Sequence, residues 1–202
     1  MRMTILLLAA LLMPVTGCNQ ELPIETYNGR VLTRDGLMYK PHSNVPLTAT
    51  VEDYASNGQL MRLYTSVKGK KEGLQQSWYG YGRLAKESTW INGQPSGLER
   101  WWYRNGQLEY ESPSVNGKAE GLERWWHKNG QLRSEVTFVN DKEEGLRQAW
   151  HKNGQLRSEV TYVDSKWEGL LSVWHDNGQL DYEGCYRAGE ETDMAYCKEQ
   201  QL

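Results

Sequence analysis

The sequence repeats itself every 24 residues, and this period constrains the fold more than any other feature of the chain. The segment HKNGQLRSEV occurs at His127–Val136 and again at His151–Val160. Within the same 24-residue frame, Gly-Leu pairs begin at Gly73, Gly97, Gly121, Gly145 and Gly169. Five full units, with a degenerate half-unit at each end, therefore account for nearly all of the chain after its first residues.

Each repeat is predicted to form one β-hairpin, because two β-prone runs flank an Asn-Gly pair. A three-residue loop, Lys152–Gly154 with a left-handed Gly154, pairs Trp150 with Leu156, whereas a two-residue turn would pair Trp150 with Arg157. We favour the three-residue loop because it collects the apolar residues on one face. The fold class is all-β, with no helix beyond a signal peptide.

The alternation of side chains along a strand predicts a sheet with two unlike faces. One face would carry the repeated leucines, one tryptophan of each repeat and the aromatic residues of the second strands, which are Leu74, Leu98, Leu122, Leu146, Leu170, Trp78, Trp102, Trp126, Trp150, Trp174, Trp90, Phe138, Tyr162 and Tyr186. The other face would carry paired charges, which are Glu87, Glu111, Glu135, Glu159, Glu183, Arg133 and Arg157.

The N-terminus has the pattern of a signal peptide at residues 1–17. Arg2 precedes an apolar run, Ile5–Met13, that is too short to span a bilayer. The segment Val15-Thr16-Gly17-Cys18 resembles the lipobox of bacterial lipoproteins, which implies a lipidated Cys18 and attachment to the membrane through this lipid. The alternative is an ordinary signal peptide with a chance cysteine. By the same resemblance, Asn19 favours the outer membrane facing the periplasm.

The rest of the chain is predicted to have four parts. Residues 18–26 form a lipidated tether, and residues 27–48 form an irregular cap in which Pro41 and Pro46 disfavour helix. The hairpin array spans residues 49–186, and a C-terminal cap spans 187–202. Terminal caps are expected because an uncovered edge strand recruits other chains.

The repeated core Trp-Tyr/His-x-Asn-Gly-Gln-Leu, the Glu-Gly pair and the entry segment Asp35-Gly36-Leu37-Met38-Tyr39 resemble the bacterial variant of the MORN repeat. Proteins of this layout are grouped as the YwqK-type antitoxin family. The resemblance covers roughly residues 32–186 and departs from the pattern at Ala49 and at Gly80-Tyr81-Gly82. It implies stacked hairpins in an elongated, curved antiparallel sheet that serves as a protein-binding surface. Repeat scaffolds are reused for many partners, so the antitoxin role is a finer expectation than the fold.

Two cysteines remain beyond Cys18 in a chain that is predicted to be exported. Cys185 and Cys197 are expected to form a disulfide, since an exported protein meets an oxidising compartment. In the repeat frame, Cys185 falls on a second strand and Cys197 on the neighbouring first strand. The bond would close the last hairpin, and two free thiols are the alternative.

The repeated polar residues do not form a pattern that supports catalysis. His127, His151 and His175 recur at one register, but equivalent side chains in successive hairpins lie ~9.5 Å apart, too far for one tetrahedral metal site. The glutamates are equivalent to one another, whereas an acid–base pair needs two different environments. We therefore expect no enzyme, no cofactor, no metal and no small-molecule substrate. The formal net charge of -3 also disfavours nucleic acid as a partner.

Tryptophans are the remaining candidates for a binding surface, because exposed aromatic side chains anchor many interfaces. Packing within the sheet is the alternative explanation for each of them. The candidate partner-binding residues are Trp78, Trp101, Trp102, Trp125, Trp126, Trp150 and Trp174. The leading hypothesis is a lipid-anchored scaffold that neutralises a toxin or effector in the cell envelope. The rival hypothesis is a structural envelope lipoprotein that binds glycan or lipid headgroups through an aromatic groove.

Overall fold

A computed structural model describes residues 24–199 of the chain. The predicted signal peptide, the lipidation site Cys18 and most of the predicted tether lie outside these residues. The entry segment contains three short strands, β1 (Thr26–Tyr27), β2 (Leu32–Arg34) and β3 (Leu37–Tyr39). The array follows as β4 (Ala49–Tyr54), β5 (Leu60–Val67), β6 (Lys70–Trp78), β7 (Leu84–Ile91), β8 (Gln94–Trp102), β9 (Leu108–Val115), β10 (Lys118–Ala119), β11 (Gly121–Trp126), β12 (Leu132–Val139), β13 (Lys142–Trp150), β14 (Leu156–Val163), β15 (Lys166–Trp174) and β16 (Leu180–Arg187).

These strands form one long sheet in which array strands that follow each other along the chain are antiparallel neighbours. The short β10 pairs with β9 and lies off the main order, while β2 and β3 form a separate two-stranded sheet. The predicted all-β hairpin array is confirmed. The expectation of no helix beyond the signal peptide is wrong, because the chain ends in β17 (Glu190–Thr192) and the short helix α1 (Met194–Glu199). No helix within residues 24–199 is both long and apolar enough to cross a membrane.

The hairpin loops have the predicted three-residue form. The His151 amide donates to the Gln155 carbonyl at 2.8 Å, and the Gly154 amide donates to the His151 carbonyl at 2.9 Å. Gly154 has a φ of 85°, a left-handed conformation that glycine adopts without strain. Trp150 pairs with Leu156 as predicted. The divergent loop at Gly80–Gly82 closes with the same two bonds, both of 2.8 Å.

The predicted distribution of residues between the two faces is wrong, because each second strand contains a bulge after its first residue. Trp150 pairs with Leu156, but Ala149 pairs with Ser158, so Arg157 is an extra residue without a partner in the ladder. One extra residue reverses the alternation of side chains for the rest of the strand. Glu159 consequently lies on the same side as Trp150, and the residues that alternate with Glu159, including Tyr162, lie on the opposite side.

A second bulge lies at the recurring glycine of the first strands that follow β4. Glu135 pairs with Gln148 and Thr137 pairs with Glu144, so two steps along β12 correspond to four steps along β13. Gly145, between these pairs, has a φ of 80°. The repeated Glu-Gly pair is thus explained by a left-handed backbone position that glycine adopts without strain.

The two bulges place most of the recurring residues on one side of the sheet and most of the residues that differ between repeats on the other. We call the side that carries Trp150 and Glu159 the constant face. It holds the leucines, glutamates and strand-end tryptophans that recur at Leu74, Leu98, Leu122, Leu146, Leu170, Glu87, Glu111, Glu135, Glu159, Glu183, Trp78, Trp102, Trp126, Trp150 and Trp174.

We call the opposite side the variable face. At one position of this face, successive repeats carry Ser77, Trp101, Trp125, Ala149 and Val173. At the position directly across the hairpin, they carry Arg62, Lys86, Tyr110, Ser134, Ser158 and Tyr182. At a third position, they carry Lys71, Pro95, Ala119, Glu143 and Trp167. Differences in size and charge between repeats are therefore concentrated on one side of the sheet.

Successive hairpins are held together at the loops by side-chain bonds to the next repeat. The Asn129 side chain donates to the Lys152 carbonyl at 2.7 Å, and the Asn153 side chain donates to the Asp176 carbonyl at 2.6 Å. Since backbone carbonyls at hairpin loops have no ladder partner, each loop satisfies groups on its neighbour. The Asn-Gly-Gln-Leu motif therefore forms the loop and also connects it to the next one.

The entry segment closes the first edge of the array. β1 pairs in parallel with β4 and covers its outer side. Leu47, Ala49 and Val51 are buried there, and the side chains of Met38 and Tyr64 pack against them. This is the one buried apolar cluster that the described residues form, so the N-terminal end of the sheet has a core that a single sheet layer otherwise lacks.

The C-terminal end is closed by the predicted disulfide. Cys185 and Cys197 are bonded, with their Cα atoms 5.9 Å apart. The predicted strand position of Cys197 is wrong, because this residue lies in α1 rather than on a neighbouring strand. The Tyr196 hydroxyl, also on α1, donates to the carboxylate of Glu168. The bond therefore fastens a helix against the last hairpin.

Candidate protein-binding face

Three aromatic rings pack together in the middle of the variable face. The ring centroids of Trp101 and Tyr110 are 4.7 Å apart, those of Tyr110 and Trp125 are 4.4 Å apart, and those of Trp101 and Trp125 are 5.8 Å apart. Tyr110 lies directly across the ladder from both tryptophans, so three adjacent strands bring the rings into contact. We call these residues the aromatic cluster.

Polar atoms of the cluster are satisfied by neighbouring carboxylates. The indole N–H of Trp101 donates to Glu99 at 2.6 Å, and that of Trp125 donates to Glu123 at 2.9 Å. The hydroxyl of Tyr110 donates to the other oxygen of Glu123 at 2.9 Å. These bonds fix the orientation of each ring and leave the half-buried apolar surfaces for contact with a partner, which is the usual composition of an interface anchor.

Burial raises the pKa of Tyr110 to about 12, and the neighbouring Glu123 carboxylate adds to this shift. The phenol is therefore protonated at neutral pH and acts as a donor. A negative charge does not develop among the three rings under ordinary conditions.

A second group of aromatic residues lies on the variable face nearer the C-terminal end. The rings of Trp167 and Tyr186 meet edge to face, with centroids 4.9 Å apart. The indole N–H of Trp167 donates to the hydroxyl of Tyr162 at 2.7 Å, and Arg147 donates to the same hydroxyl at 3.3 Å. Because Tyr162 is 7% exposed, this group contributes to packing as well as to the surface.

The seven predicted partner-binding tryptophans divide between the two faces. Trp101 and Trp125 belong to the aromatic cluster, whereas Trp78, Trp102, Trp126, Trp150 and Trp174 recur on the constant face. Each of the latter pairs with the first leucine of its second strand. Tyr110 was not among the predicted partner-binding residues. The residue at its position differs from repeat to repeat, and this difference was the signal that could have identified it.

The predicted histidine register connects the repeats. The Nε2 atoms of His127 and His151 lie 2.9 Å and 2.8 Å from the carbonyl oxygens of Trp150 and Trp174, one repeat ahead. Residues 24–199 contain no group of three or more His, Cys, Asp or Glu residues arranged to hold a metal ion. The histidines therefore have a structural contact that accounts for their position.

A cleft of about 640 Å³ lies where the entry segment meets the variable face. Its residues include four cations, Arg30, Arg62, Lys71 and Lys86, and one carboxylate, Asp53. It lies beside the aromatic cluster, because Lys86 pairs across the ladder with Trp101.

Fold and surface together define a hairpin-repeat protein with one structural face and one face that differs from repeat to repeat. The family described as the MORN repeat variant matches residues 95–116, 119–140, 143–164 and 167–188. The four matched segments begin 24 residues apart, and the two hairpins that precede them have the same loop geometry and the same bulge in the second strand. MORN repeats generally serve as binding or scaffold modules and are generally non-catalytic. No curated protein matches the chain.

Proposed function

We propose that the chain is a non-enzymatic protein-binding scaffold that recognises its partner through the variable face, with the aromatic cluster as the anchor. The observation that carries this proposal is the concentration of repeat-to-repeat differences on one side of the sheet, where three registers differ in size and charge. A residue that only holds hairpins together serves equally well in every repeat, whereas recognition of one partner requires different residues along the surface.

Several properties of the aromatic cluster support its role as the anchor. Tryptophan and tyrosine dominate the energetics of protein interfaces, and they cluster near the centre of the contact. Trp101, Tyr110 and Trp125 lie near the middle of the sheet, and their polar atoms are already paired. Binding a partner there buries ring surface without leaving a donor unsatisfied.

The finer part of the proposal concerns the partner and the location. We propose a toxin or effector of the cell envelope as the partner, and attachment to the outer membrane through a lipid on Cys18. The resemblance of residues 15–18 to a lipobox and the resemblance of the repeats to antitoxin proteins support this. Deletion of the gene should sensitise cells to a toxin encoded nearby, and unchanged growth while each neighbouring gene is expressed would contradict it.

The face itself is tested by affinity capture from envelope extracts with matched variants. Trp101→Ala combined with Trp125→Ala removes the anchor, while Leu146→Ala shortens a side chain that is 52% exposed on the constant face. We expect one stoichiometric protein partner with the wild type and with Leu146→Ala, and at least about a tenfold weaker affinity with the double variant. Equal losses in both variants would contradict the assignment. Capture of glycan instead of protein would favour the structural-lipoprotein alternative.

A further inference from the structure

The cleft at the N-terminal end of the variable face has two walls of different origin. Arg30, Val31, Thr33 and Met38 of the entry segment form one wall, and strands β4 to β7 form the other. Because the entry segment contacts the array at its N-terminal end, it contributes such a wall only there. The cleft therefore has no equivalent in the later repeats, and its volume of about 640 Å³ is in the range of pockets that hold small organic ligands.

Positive charge exceeds negative charge in this cleft. Arg62 forms a 2.7 Å ion pair with Asp53, and Lys86 forms a 2.5 Å ion pair with Glu99. Lys71 and Arg30 form no ion pair with any residue in the described part of the chain. Ion pairs among residues 24–199 therefore leave two cations, one on each wall, without a counter-ion.

Lys71 is the most constrained of these cations. Its ammonium lies 4.3 Å from the centre of the Trp90 ring, over the face of the indole. Burial, followed by repulsion from Lys86 and Arg62, lowers the pKa of Lys71. A half-buried cation without a counter-ion costs free energy, and an anion delivered by a ligand would offset that cost.

The lysine is also specific to this position of the array. The equivalent residues of the later repeats are Pro95, Ala119, Glu143 and Trp167. A structural role common to all hairpins cannot explain a lysine that occurs in only one of them. The unpaired cations, the cleft and its entry-segment wall therefore occur together at the N-terminal end of the sheet.

We propose that this cleft binds an organic oxyanion, a carboxylate or a phosphate, whose charged group lies between Lys71 and Arg30 and whose apolar part packs against Trp90. The oxyanion accepts hydrogen bonds from the ammonium and the guanidinium, which are stronger than bonds between neutral groups. This site is separate from the aromatic cluster, and it does not depend on the identity of a protein partner.

Isothermal titration calorimetry of the protein with succinate, succinamide and inorganic phosphate tests the proposal. Succinamide matches succinate in shape but has no charge, so it should not bind. Binding of succinate alone assigns a carboxylate, and binding of phosphate assigns a phosphate. Absence of binding by both anions at millimolar concentration, or equal binding of succinamide, overturns the proposal.

Matched variants connect the binding to the cleft. Lys71→Gln should weaken the affinity at least about tenfold, because it removes one charge-assisted hydrogen bond. Lys166→Gln removes the same charge from an exposed position of a later repeat and should change the affinity less than about twofold. Arg30→Gln tests the other wall independently and should also weaken binding. Equal effects of Lys71→Gln and Lys166→Gln would reduce the result to general charge attraction and overturn the site.

Discussion

The ring of His151 bonds to the carbonyl oxygen of Trp174, one repeat ahead, with 2.8 Å between Nε2 and the oxygen. The same bond is made by tyrosine in the earlier repeats, where the Tyr79 and Tyr103 hydroxyls donate to the Trp102 and Trp126 carbonyls at 2.6 Å and 2.7 Å. Two chemically different side chains thus satisfy one structural requirement, which is a donor that reaches the next hairpin.

This equivalence predicts which substitutions of His151 are tolerated. His151→Tyr should leave the free energy of unfolding nearly unchanged, whereas His151→Phe should lower it by about 1 kcal/mol because the carbonyl loses its donor. Urea unfolding followed by tryptophan fluorescence measures both. His175→Phe is the control, since His175 contacts Asp181 of its own hairpin and not a carbonyl of a further repeat. A stable His151→Phe variant would contradict the role of this bond.

The bulge glycines predict a second pair of results. Gly145 has a φ of 80° and open space where a Cβ would lie, so Gly145→Ala should cost about 1 kcal/mol from backbone strain alone. Gly121 has a φ of 113°, and its added Cβ would lie 2.8 Å from the Cγ of Pro113, so Gly121→Ala should cost about 3 kcal/mol. Thermal unfolding of both variants compares them. Equal costs would mean that the contact with Pro113 relaxes freely.

The disulfide predicts a localised loss of stability at the C-terminal end. Cys185 and Cys197 are 12 residues apart, and opening a loop of this size should destabilise the end by about 2–3 kcal/mol. In a chain with Cys18→Ser, thiol titration without reductant should find no reactive thiol. Hydrogen exchange of the paired Cys185→Ser and Cys197→Ser variant should quicken in α1 and β17 and stay unchanged in β4 to β9. Faster exchange throughout the sheet would contradict a local role.

Docking of α1 should weaken in acid. The hydrogen bond from Tyr196, followed by the bond from the Ala188 amide, lowers the pKa of Glu168 below its usual value. A carboxylate whose pKa is lowered in the folded state contributes stability above its unfolded pKa, and this contribution is lost as the pH falls through the lowered folded value. Amide exchange of α1 between neutral and acidic pH measures the effect.

Tyr196→Phe should remove most of this pH dependence. Glu144 serves as the internal comparison. It accepts a 2.9 Å hydrogen bond from the Asp164 amide, just as Glu168 accepts one from the Ala188 amide, but no tyrosine of the described residues donates to it. If exchange near Glu144 changed with pH as strongly as exchange in α1, the tyrosine bond would not be the cause.

The hairpins and their loops could be predicted from the sequence because the information for them is local. The Asn-Gly pair determines the loop, and the loop determines that Trp150 pairs with Leu156. The division of residues between the faces could not be predicted in the same way. It depends on the extra residue at Arg157, and the equivalent positions of the other repeats hold Met61, Ala85, Glu109, Arg133 and Asp181, which share no property that marks a bulge.

The glycine bulge did carry a signal in the sequence, since glycine recurs at Gly145 and its equivalents while the residue that follows it is always leucine. A glycine retained in five successive copies points to a positive φ, as observed. The helix α1 lies beyond the last repeat, where the period no longer constrains the chain. Tyr110 was missed because only the contact between adjacent strands brings it against the two tryptophans.

The separation of the two faces has a consequence for how such a protein can change over generations. The bonds between hairpins that recur along the array involve the loops, the glycine bulges and the constant face, so a substitution on the variable face leaves this repeated framework intact. Specificity can therefore drift one hairpin at a time at little risk to folding, and duplication of a 24-residue unit lengthens the recognition surface with no new type of junction. The sequence of the binding surface can therefore change during evolution while the hairpin framework is retained.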